Sequence, residues 1–239
     1  NYIICHIIYI MYNRLYKLIL TRIPLFSLSA FVVLIFLSVI LYPGSTYRDN
    51  STSRYHFFDN FLSDLGRTVT FGGDTNYFSC FLFTNALCIT GVMLMIFYVV
   101  LPWFFKEDNY FTLSIVGSVL GILGCACFVG TGLTPADLYL DAHIFFSNYI
   151  FYLSFLATLI YSYVVIRSGK LNTFYGIGYF AFAISLVSYI LILEFGPHPS
   201  ESDFSLLFQA TSQKIITICF VLATWMLSKG INKSINNLT

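Results

Sequence analysis

The sequence predicts an all-α integral membrane protein with six transmembrane helices in one bundle. Of its 239 residues, 58% are hydrophobic and only 10% are charged, whereas soluble proteins carry about 25% charged residues. The mean hydropathy is +0.79. Six apolar runs approach the roughly 20 residues that a helix needs to cross a bilayer. These runs comprise residues 25–43, 77–102, 110–132, 143–166, 173–194 and 205–227.

The runs define one membrane domain, residues 24–228, between an N-terminal segment, 1–23, and a C-terminal tail, 229–239. Backbone polar groups inside lipid must bond to one another, so the spans are expected to be helices. A transmembrane barrel would show short alternating segments instead. Because Met11 precedes a basic stretch, we interpret residues 1–10 as an upstream extension outside the native protein.

The distribution of Lys and Arg predicts the orientation. Cytoplasmic loops carry an excess of both residues. The loops on the side opposite the termini contain three of them, all in the first long loop. The side of the termini contains Arg14, Lys17, Arg22, Lys106, Arg167, Lys170, Lys229 and Lys233. Both termini are therefore expected in the cytoplasm, and the plasma membrane is the expected location.

The composition excludes several classes of function. A net charge of +1 offers no basic surface for nucleic acid. The six cysteines form no C-x-x-C pair, and buried thiols explain them better than disulfides or zinc ligands. Motifs for nucleotide binding, haem attachment or a serine nucleophile are missing from the sequence. No cofactor is therefore expected, with zinc as the remaining alternative.

Three outer loops, residues 44–76, 133–142 and 195–204, hold most acidic residues and two of the four histidines, and His143 directly follows the second loop. A polar pocket on the outer face would explain this concentration. The greater length of these loops would explain it equally well.

The stretch T-P-A-D-L-Y-L-D-A-H, residues 134–143, combines two carboxylates with a histidine. Thr134 and Asp137 match the N-cap and the first turn of a helix. Asp141 and His143 are left over, and on one helix they point about 200° apart. His143 is therefore expected to be either a hydrogen-bonded interior side chain or a ligand that acts without Asp141.

Two further carboxylates occupy positions where a helix dipole disfavours them. Asp64 lies near the end of a short helix that Gly66 terminates, where Arg67 could neutralise it or water could solvate it. Glu194 lies in the last turn of the fifth span and should have a partner. His198 follows in the same loop without a structural explanation.

In the sixth span, Gln213 and Lys214 lie deep enough that Lys214 should either pair with an acid in the interior or extend to the surface. In the third span, Gly117, Gly121 and Gly124 predict close helix packing, within the bundle or in a homodimer. The candidate polar pocket thus comprises Asp64, Arg67, Asp141, His143, Glu194, His198, Gln213 and Lys214.

Four sequence elements, Y-P-G-S-T, F-F-D-N-F-L-S-D-L-G-R-T, G-G-D-T-N and G-L-T-P-A-D, resemble a family of six-helix bacterial and archaeal membrane proteins of unknown function. The S-D-x-G element at residues 63–66 is also similar to one in the eukaryotic DRAM and Sfk membrane proteins. The resemblance covers most of residues 40–225. It implies six spans and a structured first outer loop, and it implies no activity.

Three functions are compatible with these observations. The first is a non-catalytic protein that binds a lipid or a membrane protein partner through the outer pocket or through its helix faces. The second is a zinc-dependent hydrolase of lipid amides or esters, similar in chemistry to the alkaline ceramidases, with His143, His198 and Asp64 as candidate ligands. The chain lacks the H-x-x-x-H pair of those enzymes. The third is a small transporter in which Lys214 pairs with Glu194 or Asp64.

Overall fold

The computed structural model describes residues 2–237, without the side chains of residues 2–10 and of Tyr12. This part of the chain is helical, and its only β pairing is an isolated bridge between Val69 and Thr75. The prediction that residues 1–10 are an extension falls largely outside the described side chains and is not tested.

Seven α-helices follow one another along residues 2–237. In order they are α1 (Tyr2–Thr21), α2 (Ile23–Leu41), α3 (Tyr77–Val100), α4 (Phe111–Leu133), α5 (Leu140–Ser168), α6 (Thr173–Phe195) and α7 (Asp203–Asn237). Two short 3₁₀ helices, Leu62–Gly66 and Leu101–Phe105, lie before and after α3.

Six helices are long and apolar enough to cross a membrane, which confirms the predicted number of spans. The first span combines the end of α1 with α2, and the helix is interrupted at Arg22, shortly before Pro24. Proline is disfavoured inside a helix but tolerated in the first turn. A new helix therefore begins at Ile23, with Pro24 in its first turn.

The helices at the two ends of residues 2–237 pack against each other. The N-terminal segment is helical and packs on α7, where Ser228 donates a hydrogen bond to the Thr21 carbonyl at 3.0 Å and Lys17 donates to Asn236 at 2.7 Å. The predicted tail after residue 228 is a continuation of α7 to Asn237. These contacts hold the two ends of the described chain together.

Small residues bring α3, α4 and α5 close together. A Cβ atom on Gly121 would lie 2.7 Å from the Tyr98 ring, and one on Gly117 would lie 3.0 Å from Ile160 and Tyr161. Gly124 faces α5 with more room, 3.5 Å from Ser154. The glycines of α4 therefore pack inside the bundle, as the sequence suggested.

The membrane helices form a ring in chain order. Each packs closely against the next, from α2 to α6, and α6 packs against α7. The seam between α7 and α2 closes the ring and is the most loosely packed. One end of the bundle, called here the long-loop face, carries the connections 42–76, 134–139 and 196–202.

Candidate functional site

The loop 42–76 folds around Asn60, whose residue surface is completely buried. Its amide nitrogen donates to the Ser45 carbonyl at 2.9 Å and to Asp64 at 3.1 Å, and its amide oxygen accepts from the His56 backbone at 2.9 Å. The Asn60 carbonyl accepts from the Tyr55 hydroxyl at 3.2 Å. One side chain thus holds three separate parts of the loop together.

Asp64 lies next to the Asn60 side chain and is 5% exposed. Its carboxylate accepts hydrogen bonds from Asn60 and from the Phe61 backbone at 2.8 Å. Burial raises the pKa of Asp64 to about 6, although these hydrogen bonds and the positive charges of Arg67 and Lys214 act in the opposite direction. The carboxyl group is therefore a structural part of the loop rather than a solvated one.

The raised pKa of Asp64 predicts a dependence of stability on pH. Because the ordinary pKa of Asp is about 3.9, the folded state favours the protonated form. That contribution is complete below about pH 4 and is lost as the pH rises through about 6. Relative to an Asp64→Asn variant, the wild type should lose on the order of 2 kcal/mol of unfolding free energy between pH 4 and pH 7.

Denaturant unfolding in detergent at a series of pH values measures this difference. An Asp74→Asn variant is the matched control, because Asp74 is an exposed carboxylate in the same loop. It should keep the pH dependence of the wild type. Parallel curves for wild type and Asp64→Asn would show that the buried carboxyl group does not titrate as its burial requires.

Two side chains of α7 reach this loop. The Lys214 ammonium donates to the Asn60 carbonyl at 2.5 Å and to the Ala210 carbonyl at 3.0 Å. The Gln213 amide oxygen accepts from the Leu62 backbone at 2.7 Å. Lys214 is 3% exposed, so it does not extend to the surface. Asp64, Gln213 and Lys214 therefore all form hydrogen bonds with residues 60–62 of the loop.

The expected ion pair of Lys214 does not form. Within residues 2–237, the described ion pairs, which require 4.0 Å or less between nitrogen and oxygen, do not include this side chain. The ammonium nitrogen lies 5.1 and 5.7 Å from the ring centroids of Phe57 and Tyr55, and the carboxylates of Asp64 and Asp59 attract it from beyond ion-pair distance. Backbone carbonyl groups and aromatic faces thus surround the ammonium group.

The capping role predicted for residues 134–137 is wrong. Helix α4 runs to Leu133 and α5 begins only at Leu140, so Thr134 ends one helix instead of starting the next. Asp137 accepts from the backbone and hydroxyl of Thr68, at 2.9 and 2.5 Å, and from the Val69 backbone at 3.0 Å. Its carboxylate therefore fastens the loop 42–76, a long-range role that local sequence cannot reveal.

These contacts also explain the charge state of Asp137. Partial burial alone would raise its pKa, but the hydrogen bonds from Thr68 and Val69 outweigh that effect and lower it. The side chain thus carries its charge at neutral pH and binds backbone donors with it.

His143 is an interior residue, 6% exposed, and its Nδ1 lies 2.7 Å from the Thr134 carbonyl oxygen. Asp141, two positions earlier in the first turn of α5, is exposed. Their opposite placement agrees with the angle predicted from helix geometry. Sequence reasoning left two interpretations of His143 open, and its geometry is that of the hydrogen-bonded interior side chain.

The other predicted site residues have their described side-chain contacts away from residues 60–62. The Arg67 guanidinium group stacks on the Phe71 ring at 4.0 Å and donates to the Val69 carbonyl. Its backbone amide donates to the Asp64 carbonyl at 3.1 Å, but the described ion pairs do not join the two side chains. Glu194 is exposed and accepts from the Tyr152 hydroxyl, which supplies the expected partner. His198 is exposed and lies 2.7 Å from the Ser200 hydroxyl. The eight residues therefore do not form a single polar pocket.

The proposed ligand set for zinc is not assembled. Among the side chains that the structure describes, no three His, Cys, Asp or Glu residues lie close enough to hold a metal ion. His143 bonds within the bundle, His198 bonds within its own loop and Asp64 bonds within residues 60–64.

A cavity of about 90 Å³ lies in the centre of the bundle below the long-loop face. Its wall is mainly aromatic and aliphatic, with a few polar groups that include His143, Ser147, Ser154 and Gln213. Ligand pockets usually measure about 300–1,000 Å³. The central cavity is too small for a whole lipid and suits a small group or the end of a chain.

A larger groove of about 460 Å³ follows the loose seam between α2 and α7. Lys214, Tyr55 and Phe57 line it together with apolar side chains of both helices. The apolar side chains of the groove include Val32, Phe36, Val39, Ile218, Val221 and Leu222. A continuous hydrocarbon surface therefore leads to one buried ammonium group.

The groove and the central cavity share part of their walls. Phe31 and Ile35 of α2, Thr217 of α7 and Leu62 of the loop line both spaces. Only this single layer of side chains separates the loose seam from the interior of the bundle.

Sequence reasoning missed Asn60, Phe57 and the groove itself. A buried asparagine in an aromatic loop looks like any turn residue, and no local pattern marks it as the centre of a network. The groove lies between the first and last membrane helices in the sequence, α2 and α7. These two helices become neighbours only when the ring of helices closes.

Comparison of the chain with protein-family models, curated proteins and solved structures found no match.

Proposed function

We propose that this protein is a non-catalytic membrane protein that binds a membrane lipid in the groove between α2 and α7. The observation that carries the proposal is the groove, an elongated apolar space of about 460 Å³ with one charged side chain in its wall. Its volume falls within the usual range of ligand sites.

The exposure of its walls favours a ligand that comes from the bilayer. Val32 and Phe36 on α2 are 49% and 63% exposed, and Ile218 and Leu222 on α7 are each 54% exposed. All four belong to helices with the length and hydropathy of membrane spans. Because these surfaces face hydrocarbon in a membrane, an acyl chain can enter the groove sideways without crossing water.

We further propose that the long-loop face lies outside the cytoplasm and that both termini lie in it, in the plasma membrane. The excess of Lys and Arg on the side of the termini supports this orientation. The bound lipid would then belong to the outer half of the bilayer, next to the loop 42–76.

A pair of tryptophan substitutions on α7 tests lipid binding. Ile218 lines the groove, whereas Ile215 on the same helix does not, and the two are 54% and 56% exposed. Ile218→Trp should fill the groove and abolish lipid retention, because an indole takes the space of the acyl chain. Ile215→Trp should retain lipid like the wild type.

Native mass spectrometry of the detergent-purified proteins counts the retained lipids. The proposal requires at least one retained lipid in the wild type and in Ile215→Trp and a loss in Ile218→Trp. Equal retention by the two variants, or a wild type that holds no lipid, would remove the groove as a binding site.

A further inference from the structure

We infer that the groove selects an anionic phospholipid, whose phosphate pairs with the Lys214 ammonium group while an acyl chain lies between α2 and α7. This inference rests on the proposed function and adds the chemical class of the lipid. It follows from the position of Lys214, its hydrogen bonds and the lack of a contacting carboxylate.

The position of Lys214 matches the headgroup end of a lipid site. It lies in the groove wall, at the point where α7 meets the loop 42–76. The largely apolar stretch 215–227 of α7 follows immediately. A lipid aligned with this helix would place its acyl chain along the stretch and its headgroup beside Lys214.

The hydrogen bonds of Lys214 leave its charge available. An ammonium group has three donors, and two of them bond to the Asn60 and Ala210 carbonyls. Carbonyl groups accept hydrogen bonds without carrying a negative charge. The third donor has no described hydrogen-bond acceptor, and the faces of Phe57 and Tyr55 lie beside the ammonium group.

Nearby carboxylates do not complete the pair. Asp64 and Asp59 attract Lys214 electrostatically but belong to no described ion pair with it. The Asp64 carboxylate already accepts from Asn60 and Phe61, and the Asp59 carboxylate lies 3.6 Å from His56. A buried charge is costly unless it is paired. A phosphate at the head of the groove would supply the missing partner in a place of low dielectric, where a charge-assisted hydrogen bond is strong.

Competition between lipids measures the selectivity. Wild-type protein purified from micelles with equal amounts of phosphatidylcholine and phosphatidylglycerol should retain the anionic lipid about tenfold more often, as a charge-assisted hydrogen bond implies. Lys214→Met should retain the same total amount of lipid with nearly equal proportions. Lys214→Arg should keep the preference for the anionic lipid.

Two comparisons make the result specific. Lys229→Met removes a positive charge on the same helix, near Trp225 and away from the groove, and should leave the preference unchanged. Thermal unfolding of the wild type provides a measurement without mutation at Lys214, since phosphatidylglycerol should raise the unfolding temperature more than phosphatidylcholine with the same chains.

The outcomes separate the two proposals. If Ile218→Trp loses lipid but the wild type retains both headgroups equally, lipid binding stands and the selectivity is wrong. If Lys214→Met keeps the anionic preference, Lys214 is not the headgroup site. If no lipid is retained by any variant, the groove binds none and both proposals fail.

Discussion

Replacing Asn60 by alanine should destabilise the folded protein by about 3–4 kcal/mol. The substitution removes three hydrogen bonds, to the Ser45 carbonyl, the His56 amide and the Asp64 carboxylate. The Ser45 carbonyl and the Asp64 oxygen each keep one other donor, Tyr42 and Phe61 respectively, whereas the His56 amide loses its described partner. A lost hydrogen bond costs about 0.5–1.5 kcal/mol, one to a charged group about 1.5–3 kcal/mol, and a donor left unpaired about 1–3 kcal/mol. Because Asn60 is completely buried, water cannot replace the lost bonds without opening the loop.

Unfolding in detergent, followed by circular dichroism, measures the effect of Asn60→Ala. Proteolysis within residues 42–76 should accelerate, since the loop loses its central contact. Asn85→Ala is the control, because Asn85 lies on α3 with an exposed hydrogen bond to its own helix. It should change stability by less than about 0.5 kcal/mol. Equal effects of the two substitutions would contradict a central role for Asn60.

Replacing Gly44 by alanine should cost about 3–5 kcal/mol. Gly44 has a φ of +131°, which only glycine adopts freely. A Cβ atom there would also overlap the Thr52 carbonyl oxygen and lie 2.8 Å from the Arg54 amide nitrogen. Both neighbours are backbone atoms, so a rotamer change cannot relieve the overlap.

Gly73→Ala separates the two causes. Gly73 has a φ of +93° but no atom within 4 Å of a Cβ position. It should therefore lose only the conformational part, about 1 kcal/mol. Chemical unfolding of both variants under the same conditions gives the comparison. If Gly44→Ala is no worse than Gly73→Ala, the close approach of residues 44 and 52 is not required for the fold.

The membrane architecture was predictable because each span is a local property of the sequence. An apolar run of sufficient length has one stable conformation in lipid, so the six spans follow directly. The packing of α1 against α7 was not predictable in the same way. It depends on contacts between residues about 200 positions apart, such as Thr21 with Ser228.

In the candidate site, too, local features were predictable from the sequence and long-range contacts were not. Position within a span marked Gln213 and Lys214 as polar residues that need an explanation, but it left open whether Lys214 lies in the interior or at the surface. Helix geometry separated Asp141 from His143. Asp137 was misinterpreted because its local position suits a helix start, while its actual donors lie in another loop. A carboxylate that meets local and distant donors equally well cannot be assigned from sequence alone.

The most direct test of lipid binding is an experimental structure in nanodiscs that contain neutral and anionic phospholipids. We predict elongated density between Ile35, Phe36 and Ile218, continuous with headgroup density within 4 Å of the Lys214 ammonium nitrogen. A groove closed by direct contact of α2 and α7, or one without density while other lipid-facing surfaces show ordered chains, would contradict the proposed function.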